Sequence, residues 1–449
     1  MGMGGSFQSG YHITGLSSPS PRFINSSWYE RHKEPPPAHT VTMIWSLIVS
    51  MYAVGGFFGA ISAMIGNSVI AIVAAGIMLT SKRANSFEMI IVARILFGFS
   101  AGKANETYSV TKISPRKIRG AVTLTLATFM SLGKLSGQFF GLSEILGREE
   151  LWDIVLCVPA CFSVVHVIVL PFLPEAPRYL FIEKAIRDCP HGSLQSLWGT
   201  GDYKQEMDEM LIEQAAIEAA PPKNPLQLLR DRTVRWQLIT MSLIYCCNQL
   251  SGMSAISTFS FDIFLKVGIP RDKIRYVTLG LGVSEIITSI SCVSNSSHMC
   301  PGCDLVCALE FIRVGNVVDL TLEWLEKRCL YAWTVNPIIS VLPLVYPAGA
   351  SATLNSEIFI QSDRLAALVL MGIQRWLLFA VLGLVFPFLI NGLSTYCFVL
   401  FACVCLLGCF YTFFLLPETK GKTLLEISEE FKLFSICKRN HLLFKILWS

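Results

Sequence analysis

Apolar windows long enough to cross a bilayer recur along this chain, at residues 41–65, 88–110, 119–143, 151–173, 236–264, 276–293, 331–354, 366–391 and 394–416, and a shorter one at 68–80 crosses as well. A hydrocarbon core about 30 Å thick is spanned by about 20 residues of helix, and no water reaches it to satisfy open backbone groups. Each window must therefore satisfy its own N–H and C=O groups as a helix. Gly, Pro and Ser inside the windows agree with this, because neighbouring helices can satisfy the groups such residues free. With 53% apolar residues, 15% charged residues and a mean hydropathy of +0.54, the excess of apolar surface cannot be hidden in one soluble core. The fold class is an all-α membrane bundle.

The windows come in two sets. Lys112 and Arg119 lie seven apart in KISPRKIRG, and an apolar pair follows that ends in Pro174-Glu175-Ala176-Pro177-Arg178. Glu357 and Arg364 lie seven apart in EIFIQSDR, and another apolar pair runs into Pro417-Glu418-Thr419-Lys420-Gly421-Lys422. Charged groups that recur after matching apolar blocks indicate an internal duplication, the architecture of many membrane carriers. The division is a first transmembrane half over 1–173, linker helices over 174–235, a second half over 236–416 and a tail over 417–449. Basic residues at 115–119, in the linker and in the tail put all three on the cytoplasmic side. Asn25-Ser26-Ser27, in a loop before the second span, is then a glycosylation sequon facing outside. The sequons at Asn105 and Asn295 fall near cytoplasmic ends, where no glycan is added.

Several function classes drop out. The net charge of +4, with its basic residues in loops beside apolar spans, gives no nucleic-acid stripe. Most of the 15 cysteines sit in apolar runs such as 401–409, where they act as small hydrophobes rather than a disulfide framework. Cys300 and Cys303, with His298 and Cys307 nearby, form one CxxC without a second pair, so no metal and no other cofactor is expected. Gly421-Lys422-Thr423 has Leu416 where a phosphate-binding loop needs its first glycine, which removes an ATP-driven pump. No signal peptide opens the chain, and Met1 to Ser6 fit the myristoylation pattern only loosely. Nothing points to an enzyme.

ARILFGFSAG (93–102), RGAV (119–122), GQFFGL (137–142), PEAPRYL (174–180), NQLSGMSAI (248–256) and PETKGKT (417–423) occur together and in order. In this combination the chain resembles the facilitative hexose transporters of the major facilitator superfamily, over most of 1–290 and 340–435. Tyr245-Cys246-Cys247 stands where glucose-selective members carry Gln-Leu-Ser, and WSLIVSMYAVGGFFGA (45–60) looks like the fructose-leaning branch. The resemblance implies two six-helix halves, alternating access, and a sugar site built from Gln138, Asn248, Gln249, Ser254 and Trp376. A hexose suits such a site: its hydroxyls need amide partners and its ring faces an aromatic surface. The same amides also serve as interhelical glue. Arg119, Glu175, Arg178, Glu357, Arg364 and Glu418 match gating salt bridges at the cytoplasmic ends of spans. Proton-coupled relatives carry an acid in the first helix, and residues 1–24 have no Asp or Glu, so the implied mechanism is uniport. The implied surroundings are the lipid bilayer of the plasma membrane, with the sugar as partner.

Departures from the pattern open alternatives. Lys112 replaces a family glutamate, IGNSV (65–69) and the polar stretch 294–330 replace basic loops, Ser254 replaces an asparagine, and the tenth helix keeps only Pro347 of its gate prolines. Residues 1–24 hold a partial helix at best. These features also suit a shortened, non-transporting form, retained in the endoplasmic reticulum or associated with another transporter. Lys134 lies one turn before Gln138 on the same helical face, and Arg375 adjoins Trp376. An intramembrane cation is costly and marks a pathway or a partner. If both cations reach the cavity, an organic anion such as urate is favoured; otherwise Lys134 snorkels or pairs with an acid elsewhere.

Overall fold

The computed structural model describes residues 5–15, 20–61, 67–102, 119–142, 144–148, 151–169, 172, 211, 214–215, 223–267, 270–295, 358–359, 361–393, 396–415, 427 and 429–431. Its elements are α1 (Ser6–Thr14), α2 (Ser20–His32), α3 (Ala38–Ile61), α4 (Asn67–Arg83), α5 (Phe87–Ala101), α6 (Arg119–Phe140), α7 (Trp152–Val169), α8 (Pro225–Arg230), α9 (Arg235–Leu250), α10 (Met253–Val267), α11 (Arg271–Asn295), α12 (Gln361–Gly392) and α13 (Tyr396–Leu415). Among the described residues there is no strand. His39–Ile61, Trp152–Val169 and Asp363–Gly392 are long and apolar enough, by length and composition alone, to cross a membrane. Helices also occupy the described parts of the other expected windows; window 331–354 and residues 103–110 of window 88–110 lie outside the described residues.

Window 236–264 is two helices rather than one. α9 ends at Leu250 and α10 starts at Met253, with Gly252 at φ 85° between them. That left-handed conformation is open to glycine and costly for a residue with a Cβ. A second departure concerns residues 20–32, where the polar letters around Asn25 form α2 rather than a loop. Ser27 is fully buried and its hydroxyl donates to the Asn85 carbonyl (2.8 Å), while Arg31 grips Glu88 (2.6 and 3.0 Å). Asn25 itself is exposed on the helix.

Packing of α3 against α5 rests on close backbone approach. Gly55 and Gly59 of α3 face the carbonyls of Ile95 and Phe99 on α5, and Gly98 of α5 and Gly102 just past its end face those of Tyr52 and Gly56 on α3; none of the four has room for a Cβ. Small residues four apart on facing helices are the usual means of bringing membrane helices together, since lipid supplies no hydrophobic drive between them. The apolar core runs from Ile48, Tyr52 and Phe97 to Trp376 and Phe386, and so joins helices from both ends of the chain. A second cluster gathers Leu238, Met241, Ala367, Met371 and Ile427. Outward faces are apolar too: Phe58, Val165, Phe388 and Leu407 are exposed, the last at 70%. Acyl chains cover such faces, whereas water does not.

Helices distant in sequence meet along two seams. α3 packs on α12, and α6 packs on α11. Trp376 lies on the first of these seams, and Lys134 and Gln138 on the second.

Candidate substrate path and gates

The break between α9 and α10 fixes two of the expected sugar ligands. Gln249, at the end of α9, is buried, and its Nε2 donates to the Ser254 hydroxyl at 2.8 Å, across the Gly252 turn. The Ser251 hydroxyl caps the Asn248 carbonyl at 2.7 Å. Three predicted residues, Asn248, Gln249 and Ser254, thus share one local structure. Its polar groups are held by each other, which orients the Gln249 amide.

Trp376 lies on the α3–α12 seam. Its ring meets Tyr52 edge to face, with centroids 5.7 Å apart and planes at 73°, and its indole fills the space over Gly56, where a Cβ would overlap it. Gln138 lies on the other seam. Its Oε1 is buried without a hydrogen bond and rests against Gly282 of α11, again where a Cβ would overlap. An orphaned amide oxygen at a helix interface is expensive unless something else donates to it.

The α6–α11 seam is a ladder of polar contacts. Thr128 pairs with Ser289 (3.2 Å), Ser131 donates to Glu285 (3.2 Å), Lys134 bonds the same Glu285 oxygen (2.7 Å), and past Gln138 the Tyr276 hydroxyl donates to Glu144 (3.0 Å). Rising numbers on α6 meet falling numbers on α11, so the helices run antiparallel. This settles the alternative for Lys134: it neither snorkels nor leaves a free charge, because Glu285 neutralises it. Arg375 is exposed, with its Nη2 3.9 Å from the Met130 sulfur. Lys134 is therefore no free cation, and the anionic-substrate alternative, which needed both cations in the cavity, loses its basis.

A second buried cation went unnoticed in the sequence. Arg94 of α5 is 1% exposed; it donates to the carbonyls of His12 (3.0 Å) and Ile48 (3.5 Å) and lies over the Tyr52 ring at 4.7 Å. Carbonyl dipoles and an aromatic face are the neutral means of holding a guanidinium out of water. Tyr52 in turn donates to the Ser9 carbonyl at 3.3 Å, which ties α1 to α3. A single Arg within an apolar window was the available signal.

Among the expected gate residues, Arg364 donates to the Phe359 carbonyl at 3.3 Å. Arg119 opens α6. Lys112, Glu175, Arg178, Glu357 and Glu418 lie outside the described residues. An ionic knot that sequence reasoning missed stands at the head of α12: Lys223 bridges Asp231 (2.6 Å) and the buried Asp363 (3.3 Å). The hydrogen bond from Lys223, then those from the Thr233 hydroxyl and amide, lower the Asp231 carboxyl to about 2. Burial alone would lower the Lys223 ammonium, but Asp231 and Asp363 outweigh it and raise it. No group of three or more His, Cys, Asp or Glu side chains that could hold a metal occurs among the described residues.

A profile of the "Sugar (and other) transporter" family matches residues 1–431. The human solute carrier family 2, facilitated glucose transporter member 9, is 36% identical over 453 residues, covering 95% of this chain and 83% of that protein. Human member 11 is 33% identical (96% and 91%) and rat member 5 is 34% identical (95% and 89%). Among solved structures, the major facilitator superfamily proton:xylose symporter XylE bound to 6-bromo-6-deoxy-D-glucose superposes with a TM-score of 0.76 at 16% identity, over 96% of this chain and 97% of that one. The inward-open xylose transporter XylE from E. coli gives 0.72 at 16%, over 95% and 98%. These likenesses give the fold of a multi-pass carrier rather than an enzyme. The chain belongs to the sugar (and other) transporter family and has the major facilitator superfamily fold.

Proposed function

We propose that the protein carries a hexose, fructose or glucose, down its gradient by alternating access in the plasma membrane. The observation that carries this reading is similarity along 95% of the chain to relatives named as facilitated glucose transporters. Gln138, Asn248, Gln249 and Trp376 are the proposed sugar ligands, with Ser254 holding the Gln249 amide. A hexose hydroxyl would donate to the orphaned Gln138 oxygen and relieve the cost of leaving it bare. The division into two halves with a linker over 174–235 belongs to the same proposal. So do a gate built from Arg119, Glu175, Arg178, Glu357, Arg364 and Glu418, and a glycan on Asn25.

No cofactor enters this mechanism. Rocking one half against the other would open and close the two seams in turn, and gate salt bridges would break whenever the site faces the cytoplasm. The test is uptake of radiolabelled fructose and glucose into proteoliposomes, with Gln249→Ala as control. Saturable uptake that the variant loses supports the reading. Folded, correctly inserted protein that takes up no more than empty liposomes overturns it in favour of a non-transporting form.

A further inference from the structure

The Lys134–Glu285 pair is a feature of this chain's own seam. The two side chains are 12% and 9% exposed, they lie 151 residues apart in the sequence, and one Glu285 oxygen accepts from both Lys134 (2.7 Å) and Ser131 (3.2 Å). Lys134 stands one helical turn from Gln138, and Glu285 one turn from the Gly282 that Gln138 touches. The charges therefore sit beside the orphaned amide oxygen proposed as a sugar ligand.

We propose that Glu285 is a specificity-determining residue: as counter-ion to Lys134 it keeps this part of the path electrically neutral, so uncharged polyols pass and sugar acids are rejected. The inference rests on the hexose-transport reading, because it needs Gln138 to face the sugar. Each hydroxyl of a polyol both donates and accepts, so it can share the Glu285 carboxylate and the Lys134 ammonium without disturbing their charge balance. A sugar acid brings a second carboxylate toward Glu285, and Lys134, already paired, is not free to receive it. Without the Glu285 charge, Lys134 becomes a buried cation, and an anionic substrate becomes its natural partner. Discrimination here works by repulsion of the wrong ligand rather than by added grip on the right one.

The test compares uptake of glucuronate, a hexose ring with one carboxylate, against whichever of glucose and fructose the wild type carries. Three proteins are used in proteoliposomes: wild type, Glu285→Gln, and the exchange variant Lys134→Glu with Glu285→Lys. Glu285→Gln is expected to raise the glucuronate-to-hexose ratio by about tenfold or more, and the exchange variant to return it to within about twofold of wild type. Thermal unfolding in detergent identifies folded variants. A folded Glu285→Gln with the wild-type ratio overturns the proposal, as does a folded exchange variant that prefers glucuronate. If Glu285→Gln does not fold, the exchange variant decides alone: neutral-sugar preference supports the pair, and its loss overturns it. Absence of hexose uptake by the wild type sinks the transport reading and this one together, whereas hexose uptake with an unmoved ratio sinks this one alone.

Discussion

The indole of Trp376 occupies the space that a side chain at Gly56 would need, so helices α3 and α12 meet where a ring closes over bare backbone. Gly56→Ala must push the ring or part the helices. Overpacking of this kind costs about 1–3 kcal/mol, and thermal unfolding in detergent should show it as a lower midpoint. Trp376→Leu added to Gly56→Ala should recover most of the lost stability. A Gly56→Ala protein as stable as wild type would contradict the packing described.

Ser254 holds the Gln249 amide, so the two should separate in kinetics. Ser254→Ala frees the amide without removing it, and the apparent KM for hexose should rise by about threefold with the maximal rate kept, for the loss of one neutral hydrogen bond. Gln249→Ala removes the ligand itself and should cost about tenfold or more in kcat/KM. Equal effects from both substitutions would mean that the pair is structural and does not touch sugar.

Arg94 ties α5 to the His12 and Ile48 carbonyls. Arg94→Met keeps the apolar stem but removes the charged donors, and should destabilise the first half by about 2–4 kcal/mol. Arg94→Lys should recover only a minor part, since one ammonium has no fork to serve two carbonyls and stack on Tyr52. Chemical unfolding of the three proteins in the same detergent measures the order.

Acid should loosen the knot of Lys223, Asp231 and Asp363. The Asp231 carboxyl titrates at about 2 when folded, below its ordinary value of 3.8, so its contribution to stability is fully present above that ordinary value and is lost as pH falls toward about 2. The difference in unfolding midpoint between wild type and Asp231→Asn should hold from neutral pH down to about pH 5 and shrink below about pH 4. A difference that stays constant down to pH 3 would remove Asp231 from the knot.

Much of this architecture could be read from letters. Apolar windows located α3, α6, α7, α12 and α13, because a bilayer leaves a helix few alternatives once about 20 apolar residues occur together. The break at Gly252 was hidden, since Ser251 and Gly252 interrupt neither the apolarity nor the length of their window and a backbone angle leaves no trace in composition. Asn25-Ser26-Ser27 read as a loop by its polarity, yet Ser27 finds its acceptor at Asn85, 58 residues on, and the segment is helical. Lys134 was visible as an anomaly from sequence. Its partner was not, because Glu285 lies 151 residues away and only the antiparallel register of α6 and α11 brings the two together. Gln249 and Ser254 were both named as ligands, but their bond to each other depends on the turn between them.

The neutral cradle around Arg94 has an electrical consequence. Among the described residues no acid forms a salt bridge with this guanidinium, so α5 carries a buried positive charge that ions do not reach to screen. One elementary charge moved across the whole field is worth about 2.3 kcal/mol per 100 mV, and the proposed rocking motion would carry it through a fraction of that. Influx and efflux of an uncharged sugar should then respond unequally to an imposed potential in valinomycin-clamped vesicles, and Arg94→Met should abolish the asymmetry. Rates that ignore the potential would mean that Arg94 stays still in the field while the rest of the bundle turns around it. In the first case the carrier itself would be the voltage-dependent part of a reaction whose cargo has no charge.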